Sequence, residues 1–274
     1  MISLGANFSM RILITRAEDR CQTLKDVIIS AGGTLIAVPT IDIVDPRNTR
    51  SLVTVLNDLN NFDAAIFVSP NAVDKALLQW QRYREEYHQD NLPLNEFLGK
   101  SIPVFAIGPG TQQRLYQHFI RVSGMPVFNF STEGLLELST LQKVSGKRII
   151  LFCGEAGRTE LAEKLRQRGA QVTLAYVYCR RCPNLDFRKQ LRGWKRQGID
   201  VIVGTSAESL YNLLEMVGES GAGWLKQLPW LVVSERVANL TKTLGFTESP
   251  IVAKNATNDA IFEALCRAEK LGIL

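Results

Sequence analysis

The sequence predicts an α/β protein with two similar lobes and parallel sheets, and three observations support this fold class. Short apolar runs that end in small polar residues alternate with helical patterns along the chain. Three strand–loop–helix units occur twice, in the same order. The chain has 274 residues, which exceeds the usual size of one domain and suits two lobes of about 120–140 residues.

The clearest unit lies in residues 146–183. Its apolar run 149–152 is short enough for a strand that is buried on both faces. A glycine-rich turn over 154–157 follows, and then a helical pattern that stops at Gly169. An extended run over 172–178 completes the unit.

The same order of elements opens the chain and recurs further along it. Residues 10–42 predict a strand over 11–14, a helix and a second extended run. FDAAIFVSPNAVDKALL from Phe62 parallels IDVIVGTSAESLYNLL from Ile199. KSIPVFAIGPGTQQRLYQHFI from Lys100 parallels KQLPWLVVSERVANLTKTLGF from Lys226. Duplication of one α/β half explains these repeats.

Composition narrows the possible classes of protein. The hydrophobic content of 46% suffices for two cores, and no apolar run approaches the roughly 20 residues of a membrane span. Five scattered cysteines favour a reducing cytosol, so we expect a cytoplasmic protein. Residues 1–9 lack the pattern of a signal peptide and are interpreted as a leader. Met1 and Met10 both remain open as the native start.

The formal charge of +5 suits nucleic acid, a membrane surface or an anionic small molecule as a partner. The basic residues are spread along the chain and interleaved with glutamates, whereas nucleic acid requires a concentrated stripe. A solvated surface explains most of these charges. We expect a small polyanion between the lobes, and neither nucleic acid nor a membrane.

Hydroxyl groups follow the predicted strands at their carboxyl ends, where open α/β sheets bind ligands. Ser69 and Ser206 each stand between a strand and a helix, where a hydroxyl beside free N–H groups forms an anion site. An ordinary N-cap is the alternative for both serines. Thr111 follows a Gly-Pro-Gly turn, and Ser234 follows a further strand in the same way.

Two arginines occupy similar places. Arg16 follows the first strand and suits a carboxylate clamp, with an arginine that caps the sheet edge as the alternative. Arg158 lies just inside a helix start, where the helix dipole disfavours a cation. A bound anion would remove this conflict, so we predict that Arg158 binds a substrate carboxylate. An ion pair with Glu155 or another nearby acid is the alternative.

Several motifs are absent from the sequence: a dinucleotide fingerprint, a phosphate loop, a metal cluster and a Ser-His-Asp set. A nucleotide-dependent transferase is therefore disfavoured. Cys179-x-x-Cys182 suggests a metal or redox site, but no second pair or histidine accompanies it. We interpret this spacing as coincidental and expect no metal site.

From Met10 to about Leu265 the chain resembles the uroporphyrinogen-III synthase family. The matching pieces are RILITR, FVSPNAV, AIGPGTQQRL, STEGLLEL, KRIILFCGEAGRTELAEKL, VYCRR, GTSAESL and VVSERVANLTKTLGF. The resemblance implies two flavodoxin-like lobes, joined by a two-stranded β-linker, with a cleft between them. It implies one lobe from 10–38 and 179–274, the other from 44–172, and linker strands over 36–43 and 172–178.

The resemblance also implies a lyase of porphyrin, haem and other tetrapyrrole biosynthesis. Such an enzyme cyclises hydroxymethylbilane to uroporphyrinogen III, inverts ring D and releases water, without a cofactor. The substrate bears many carboxylates, so its capture needs distributed donors. We expect a monomer, and direct transfer of substrate from the preceding deaminase is left open.

The family's site residues are carried over position by position. Tyr178 would assist departure of the hydroxyl, because phenols are protonated at neutral pH and can donate. A tyrosine that packs in the linker is the alternative. The remaining cleft-lining candidates are Ser69, Thr111, Arg158 and Ser206, followed by Arg16 and Ser234. Ser-Glu-Arg-Val replaces the Gly-Pro-x-Thr of some members at Ser234, and Arg236 is the expected substitute there.

A non-catalytic two-lobe protein that binds or senses a small polyanion is the competing interpretation. Tyr178 and Arg158 together favour the enzyme. The isomer formed from hydroxymethylbilane separates the two interpretations, because spontaneous closure gives only type I.

Overall fold

The computed structural model describes residues 8–87, 93–96, 98–155, 157 and 159–274. The chain divides into two compact units. Unit 1 consists of Met1–Asp42 and Arg181–Leu274, and unit 2 of Ile43–Arg180. Each unit contains a five-stranded sheet, which we call sheet 1 and sheet 2.

The strands are short. They are β1 Arg11–Ile14, β2 Thr34–Ala37, β3 Asp42–Val44, β4 Ala64–Phe67, β5 Val104–Ala106, β6 Arg148–Gly154, β7 Gln171–Arg181, β8 Val201–Gly204, β9 Trp230–Val232 and β10 Ile251–Val252.

Helices connect these strands. They are α1 Glu18–Ser30, α2 Thr49–Asn57, α3 Pro70–Tyr87, α4 Pro109–Gln117, α5 Thr132–Leu136, α6 Ser139–Gln142, α7 Glu160–Gln167, α8 Arg188–Gln197, α9 Ala207–Leu225, α10 Glu235–Thr243 and α11 Asn258–Lys270. Within the described ranges, none of the helices is both long and apolar enough to cross a bilayer.

Sheet 1 has the strand order β10-β9-β8-β1-β2, with parallel neighbours throughout. Counted along unit 1, this is the flavodoxin-like order 2-1-3-4-5. Sheet 2 has the order β3-β7-β6-β4-β5, and its β7–β6, β6–β4 and β4–β5 pairs are parallel. The predicted α/β class with parallel sheets is confirmed.

The sequence repeat explains the similarity of the two sheets. β4 and β5 correspond to β8 and β9, and β6 and β7 correspond to β1 and β2. With these equivalences, β7-β6-β4-β5 reproduces the order β2-β1-β8-β9 of sheet 1. A parallel bridge between Phe105 and Gly124 takes the place of the fifth strand, and β3 is added at the other edge.

Both faces of each sheet are buried. In β8, Val201 and Val203 belong to a core cluster with α1 and α11, whereas Ile202 belongs to a second cluster with α8 and α9. In β6, Ile150 and Phe152 share a cluster with α3 and α4. Successive residues of a strand point to opposite faces, so these continuous apolar runs follow from helices on both sides.

The predicted leader 1–9 includes a residue that packs against unit 1. Phe8 is 1% exposed and contacts Phe262 of α11, with ring centroids 6.1 Å apart. Burial of a phenylalanine side chain contributes about 1.5–3 kcal/mol, so this residue is part of the core of unit 1. Residues 1–7 of the predicted leader lie outside the described residues.

The predicted linker strands overlap strands of both sheets. Residues 36–37 belong to β2 and pair with β1. Residues 172–178 lie within β7, which pairs with β6 from Gln171 to Tyr178. The chain passes between the two units at residues 42–43 and 180–181, and the two-stranded linker stays a prediction. Of the predicted linker, residues 42–43 fall in β3, which neighbours β7.

A buried hydroxyl network joins β1, β8 and α9 at the carboxyl end of sheet 1. The Thr15 hydroxyl is 3.1 Å from Ser209 Oγ and 3.2 Å from the Val203 carbonyl oxygen, and it accepts the Thr205 N–H at 3.2 Å. Ser209 Oγ donates to the Ser206 carbonyl oxygen at 2.8 Å. Thr15 and Ser209 are buried, so these bonds replace hydrogen bonds to water.

We predict that Thr15→Val lowers the free energy of unfolding by about 1–3 kcal/mol, because valine has a similar shape but leaves the Thr205 N–H without this acceptor. Thr34→Val is the matched control, since Thr34 lies on the adjacent strand and is exposed. We expect a change within about 0.5 kcal/mol for the control. Denaturant unfolding measures both, and equal stabilities would show that the network contributes nothing.

Candidate functional site

A β-bulge in β7 determines the direction of Tyr178. Cys153 pairs with Tyr176, but the next residue, Gly154, pairs with Tyr178, so Val177 is an extra residue in β7. An extra residue turns the following side chain to the other face of the sheet. As a result, Tyr178 and Val177 lie in the same core cluster, on the face covered by α3 and α4.

Tyr178 contacts a second predicted site residue. Its hydroxyl is 3.3 Å from Ser69 Oγ. Ser69 Oγ also accepts the Ala72 N–H at 3.1 Å, so it caps the start of α3, as the N-cap alternative proposed. A hydroxyl has one donor and two acceptor positions, which allows Ser69 to cap the helix and to contact the phenol. Tyr178 is 6% exposed, and its ring packs in the core as well.

The absence of a side chain at Gly154 leaves room for the Tyr178 ring. A Cβ at Gly154 would lie 2.6 Å from Cε2 and 2.8 Å from Cζ of the tyrosine ring. These distances are shorter than van der Waals contact, so a residue with a side chain would displace the ring. The sequence marked Gly154 as part of a turn, but the contact depends on the bulge, for which we found no sequence signal.

Thr111 lies in the first turn of α4, near the start of α3. A Cβ at Gly110 would be 3.7 Å from Pro70 Cγ, which places these two helix starts in contact. Thr111 is 2% exposed, and its hydroxyl forms no hydrogen bond with another residue that the structure describes. Unit 2 therefore brings Tyr178, Ser69 and Thr111 to one end of its sheet.

Arg158 lies outside the described residues, so its role as a carboxylate ligand stays a prediction. Glu155, its proposed alternative partner, contacts another arginine. The Arg47 backbone N–H donates to Glu155 Oε1, and Arg47 Nε is 3.6 Å from Oε2.

In unit 1, two predicted serines are N-caps. Ser206 Oγ accepts the Ser209 N–H at 3.0 Å at the start of α9, and Ser234 Oγ accepts the Val237 N–H at 3.4 Å at the start of α10. Both hydroxyls keep a donor hydrogen. Arg236, in the first turn of α10, is exposed. The sequence pointed to Ser206 but missed Ser209, although a polar residue three positions after an N-cap is a capping-box signal.

Arg16 connects the end of β1 to the start of α11 and the segment before it through two hydrogen bonds. Its Nη1 donates to Asn258 Oδ1 at 3.0 Å and its Nη2 to the Ala256 carbonyl oxygen at 2.9 Å. These contacts agree with the sheet-edge alternative, and the carboxylate clamp stays a prediction. Burial lowers the pKa of Arg16 below its usual value. Both hydrogen-bond partners are uncharged, so they do not neutralise the guanidinium.

Helix N-termini give the carboxyl ends of both sheets an affinity for anions. α3 and α4 start directly after β4 and β5 in unit 2, and α9 and α10 start after β8 and β9 in unit 1. The N-terminus of a helix carries a partial positive charge and free N–H groups, which favour a carboxylate. Each unit therefore has anion-binding groups on neighbouring strands.

Cys153 and Cys182 do not suit thiolate chemistry. Burial raises the pKa of Cys153, beside Gly154, to about 12, so this thiol is protonated at neutral pH. Burial, followed by Glu215 and Asp42, also raises the pKa of Cys182, in the Cys179-x-x-Cys182 pair. Within the described part of the chain, no three histidine, cysteine or acidic side chains are grouped as a metal site would require.

Solved structures of uroporphyrinogen III synthases have a similar fold. The Helicobacter pylori enzyme aligns with a TM-score of 0.60 at 13% identity, over 97% of this chain and all of that one. A mutant of the Thermus thermophilus enzyme aligns with a TM-score of 0.59 at 15% identity, over 96% of this chain and all of that one. At these identities the likeness shows the fold alone.

Sequence comparison identifies the family. A family model described as uroporphyrinogen-III synthase HemD matches residues 22–263. The uroporphyrinogen-III synthase of Salmonella typhimurium is 33% identical over 265 residues, which covers 93% of this chain and all of the relative. That of Escherichia coli is 30% identical over 261 residues, with the same coverage. The chain belongs to the uroporphyrinogen-III synthase family.

Proposed function

We propose that this chain is a uroporphyrinogen-III synthase, a lyase that cyclises hydroxymethylbilane to uroporphyrinogen III with inversion of ring D and loss of water. Family membership over most of the chain supports this activity. The observation that carries the proposal is the position of Tyr178, 3.3 Å from Ser69 at the carboxyl end of sheet 2.

The substrate is a flexible polyanion that is already reactive, so the main task of the protein is to hold it folded. Helix N-termini, serine hydroxyls and arginines provide separate donors for its carboxylates. We assign this role to the predicted residues Arg16, Ser69, Thr111, Arg158, Ser206, Ser234 and Arg236. For Arg158 the assignment depends on the sequence argument alone.

Tyr178 would act as the acid for the departing hydroxyl. The phenol gives its proton to the hydroxyl oxygen, the C–O bond breaks, and water leaves with the bonding electrons. The neighbouring pyrrole supplies electrons to the carbon that loses the hydroxyl. Ser69 can donate to the resulting phenolate, which lowers the cost of its charge. Closure at the substituted α-carbon of ring D forms a quaternary centre, because this carbon still carries its old methylene bridge. The bond to that bridge then breaks, the unsubstituted α-carbon of ring D bonds to the released methylene carbon, and ring D is inverted. The proton that this second carbon loses restores the phenol.

The proposed function includes a cytoplasmic monomer that uses no cofactor. Direct transfer of substrate from the preceding deaminase is compatible with this function and has no separate support.

Incubation with freshly prepared hydroxymethylbilane, followed by oxidation and isomer analysis, tests the activity. We expect mainly type III porphyrin. Type I alone, the spontaneous product, would overturn the proposal and favour the non-catalytic polyanion-binding alternative.

Tyr178→Phe should lower kcat for type III formation about tenfold, which corresponds to about 1.4 kcal/mol of activation free energy. The loss is limited because positioning of the substrate remains. Tyr176→Phe is the matched control, since it removes a hydroxyl from the same strand at the residue that pairs with Cys153. A kcat equal to that of the wild type for Tyr178→Phe would assign this side chain to packing.

Gly154→Ala should lower kcat by a similar factor, because the new Cβ would displace the Tyr178 ring. If Gly154 acts through this ring, Gly154→Ala adds no further loss of kcat in the Tyr178→Phe background. Melting temperatures of all variants report the separate cost in stability. Equal losses of kcat in both backgrounds would show that Gly154 does not act by positioning the phenol.

A further inference from the structure

An exposed apolar segment lies between β5 and α5. Val127, Phe128 and Phe130 are 71%, 93% and 50% exposed. Single exposed apolar residues are common on protein surfaces, but three within four residues form a patch of the kind that marks binding sites. None of the site residues predicted from the sequence lies in this segment.

The segment emerges at the carboxyl end of sheet 2. Residues 123–124 run parallel to β5, since the Ser123 N–H donates to the Val104 carbonyl oxygen at 2.7 Å and the Ala106 N–H to the Gly124 carbonyl oxygen at 3.1 Å. Parallel neighbours share their carboxyl end, so the residues after Gly124 leave the sheet at the end that carries Ser69 and Thr111.

Direct contacts connect the patch to the candidate site. A Cβ at Gly108, the N-cap of α4, would lie 3.2 Å from Phe130 Cβ. In the first turn of that helix, Gly110 lies against Pro70, which directly follows Ser69. Contacts therefore link Phe130 through the starts of α4 and α3 to Ser69, whose hydroxyl contacts the proposed acid.

Hydrogen bonds and close packing fix the backbone of residues 129–134, next to Phe128 and Phe130. The Ser131 N–H donates to the Asn129 carbonyl oxygen at 2.8 Å, and Ser131 Oγ accepts the Gly134 N–H at 3.3 Å. A Cβ at Gly134 would lie 1.9 Å from the Asn129 carbonyl oxygen, so only glycine permits this packing. A fixed backbone reduces the entropy lost when exposed side chains bind a ligand.

We propose that Phe128 and Phe130 form an aromatic subsite for pyrrole rings of the tetrapyrrole substrate. This inference rests on the proposed function and extends it, since the donors named above bind carboxylates and leave the ring faces without a partner. Pyrrole rings are flat and apolar on both faces, and aromatic side chains bind such faces by stacked or edge-to-face contacts.

The subsite would hold rings far from the reacting one. In sheet 2, three strand spacings of about 4.8 Å, roughly 14 Å in all, separate β7 from β5, and Phe130 lies against Gly108 just after β5. Contacts at this distance from Tyr178 fix the path of the chain of rings without touching the reacting atoms. Phe128 and Phe130 are therefore binding residues, and their loss should raise KM more than it lowers kcat.

The test compares Phe128→Ala, Phe130→Ala and the double variant with Phe119→Ala. Phe119 is 86% exposed and follows the last turn of α4, at the opposite end of that helix from Gly108. We expect a five- to tenfold increase in KM for each variant of the pair and a larger one for the double variant, with unchanged melting temperatures. Phe130→Tyr should keep most of the affinity, and Phe130→Leu should lose it.

Binding of uroporphyrin, a stable oxidised tetrapyrrole, separates this inference from the proposed function. Quenching of porphyrin fluorescence measures affinity without turnover, and we expect the double variant to bind at least fivefold more weakly than the wild type or Phe119→Ala. Equal affinities would overturn the aromatic subsite even if the wild type forms type III porphyrin. Formation of type I alone by a wild type that binds uroporphyrin through this patch would overturn the proposed activity and leave the subsite supported.

Discussion

Burial of both faces of two parallel sheets is the constraint on which this structure depends. Strands such as β4 and β8 are buried at every position, so they have no place for a charged or catalytic side chain. Polar groups are therefore confined to the strand ends, where the chain turns into a helix. At the carboxyl ends these turns also provide helix N-termini, so the same constraint that builds the core produces anion-binding edges.

The bulge in β7 is an exception, because it places Tyr178, the proposed acid, within a strand. Without the extra residue, Tyr178 would point to the face opposite Val177, away from Ser69. The glycine opposite the ring and the serine beside its hydroxyl act together with the bulge, because each is useful only when the ring lies where the bulge directs it. In the equivalent part of unit 1, the strand ends are connected by the Thr15–Ser209 hydroxyl network, which contributes to cohesion. The two similar halves thus differ in their hydrogen bonding at corresponding places.

Much of the fold could be predicted because it depends on local patterns. The apolar runs identified β1 with its observed bounds, and the repeat identified equivalent strands before any pairing was known. Less could be predicted where long-range pairing decides the outcome. Residues 172–178 have the composition of an extended segment, but only the partner strand β6 shows that they belong to a sheet. Likewise, Phe8 has no periodic neighbours, and its burial depends on Phe262 at the other end of the chain.

The candidate site was predictable in its residue types and less so in their partners. The hydroxyl groups at strand ends follow from the repeated order of strand, turn and helix. The N-caps of Ser69, Ser206 and Ser234 agree with this order. Arg16 shows the limit, because its hydrogen bonds to Ala256 and Asn258 involve residues about 240 positions away. The exposure of Phe128 and Phe130 could not be anticipated, since the same residue type is usually buried.

The strand order also has a consequence for how the protein is made. Unit 2 is continuous, and its sheet is available in full once Arg180 has been synthesised. In unit 1, β1 occupies the centre of the sheet and pairs Ile12 with Val201, so the nascent β1–β2 pair must keep an open apolar edge while all of unit 2 is translated. Unpaired strand edges promote aggregation. During synthesis the edge of β1 that later pairs with β8 therefore stays open for longer than any strand edge within unit 2.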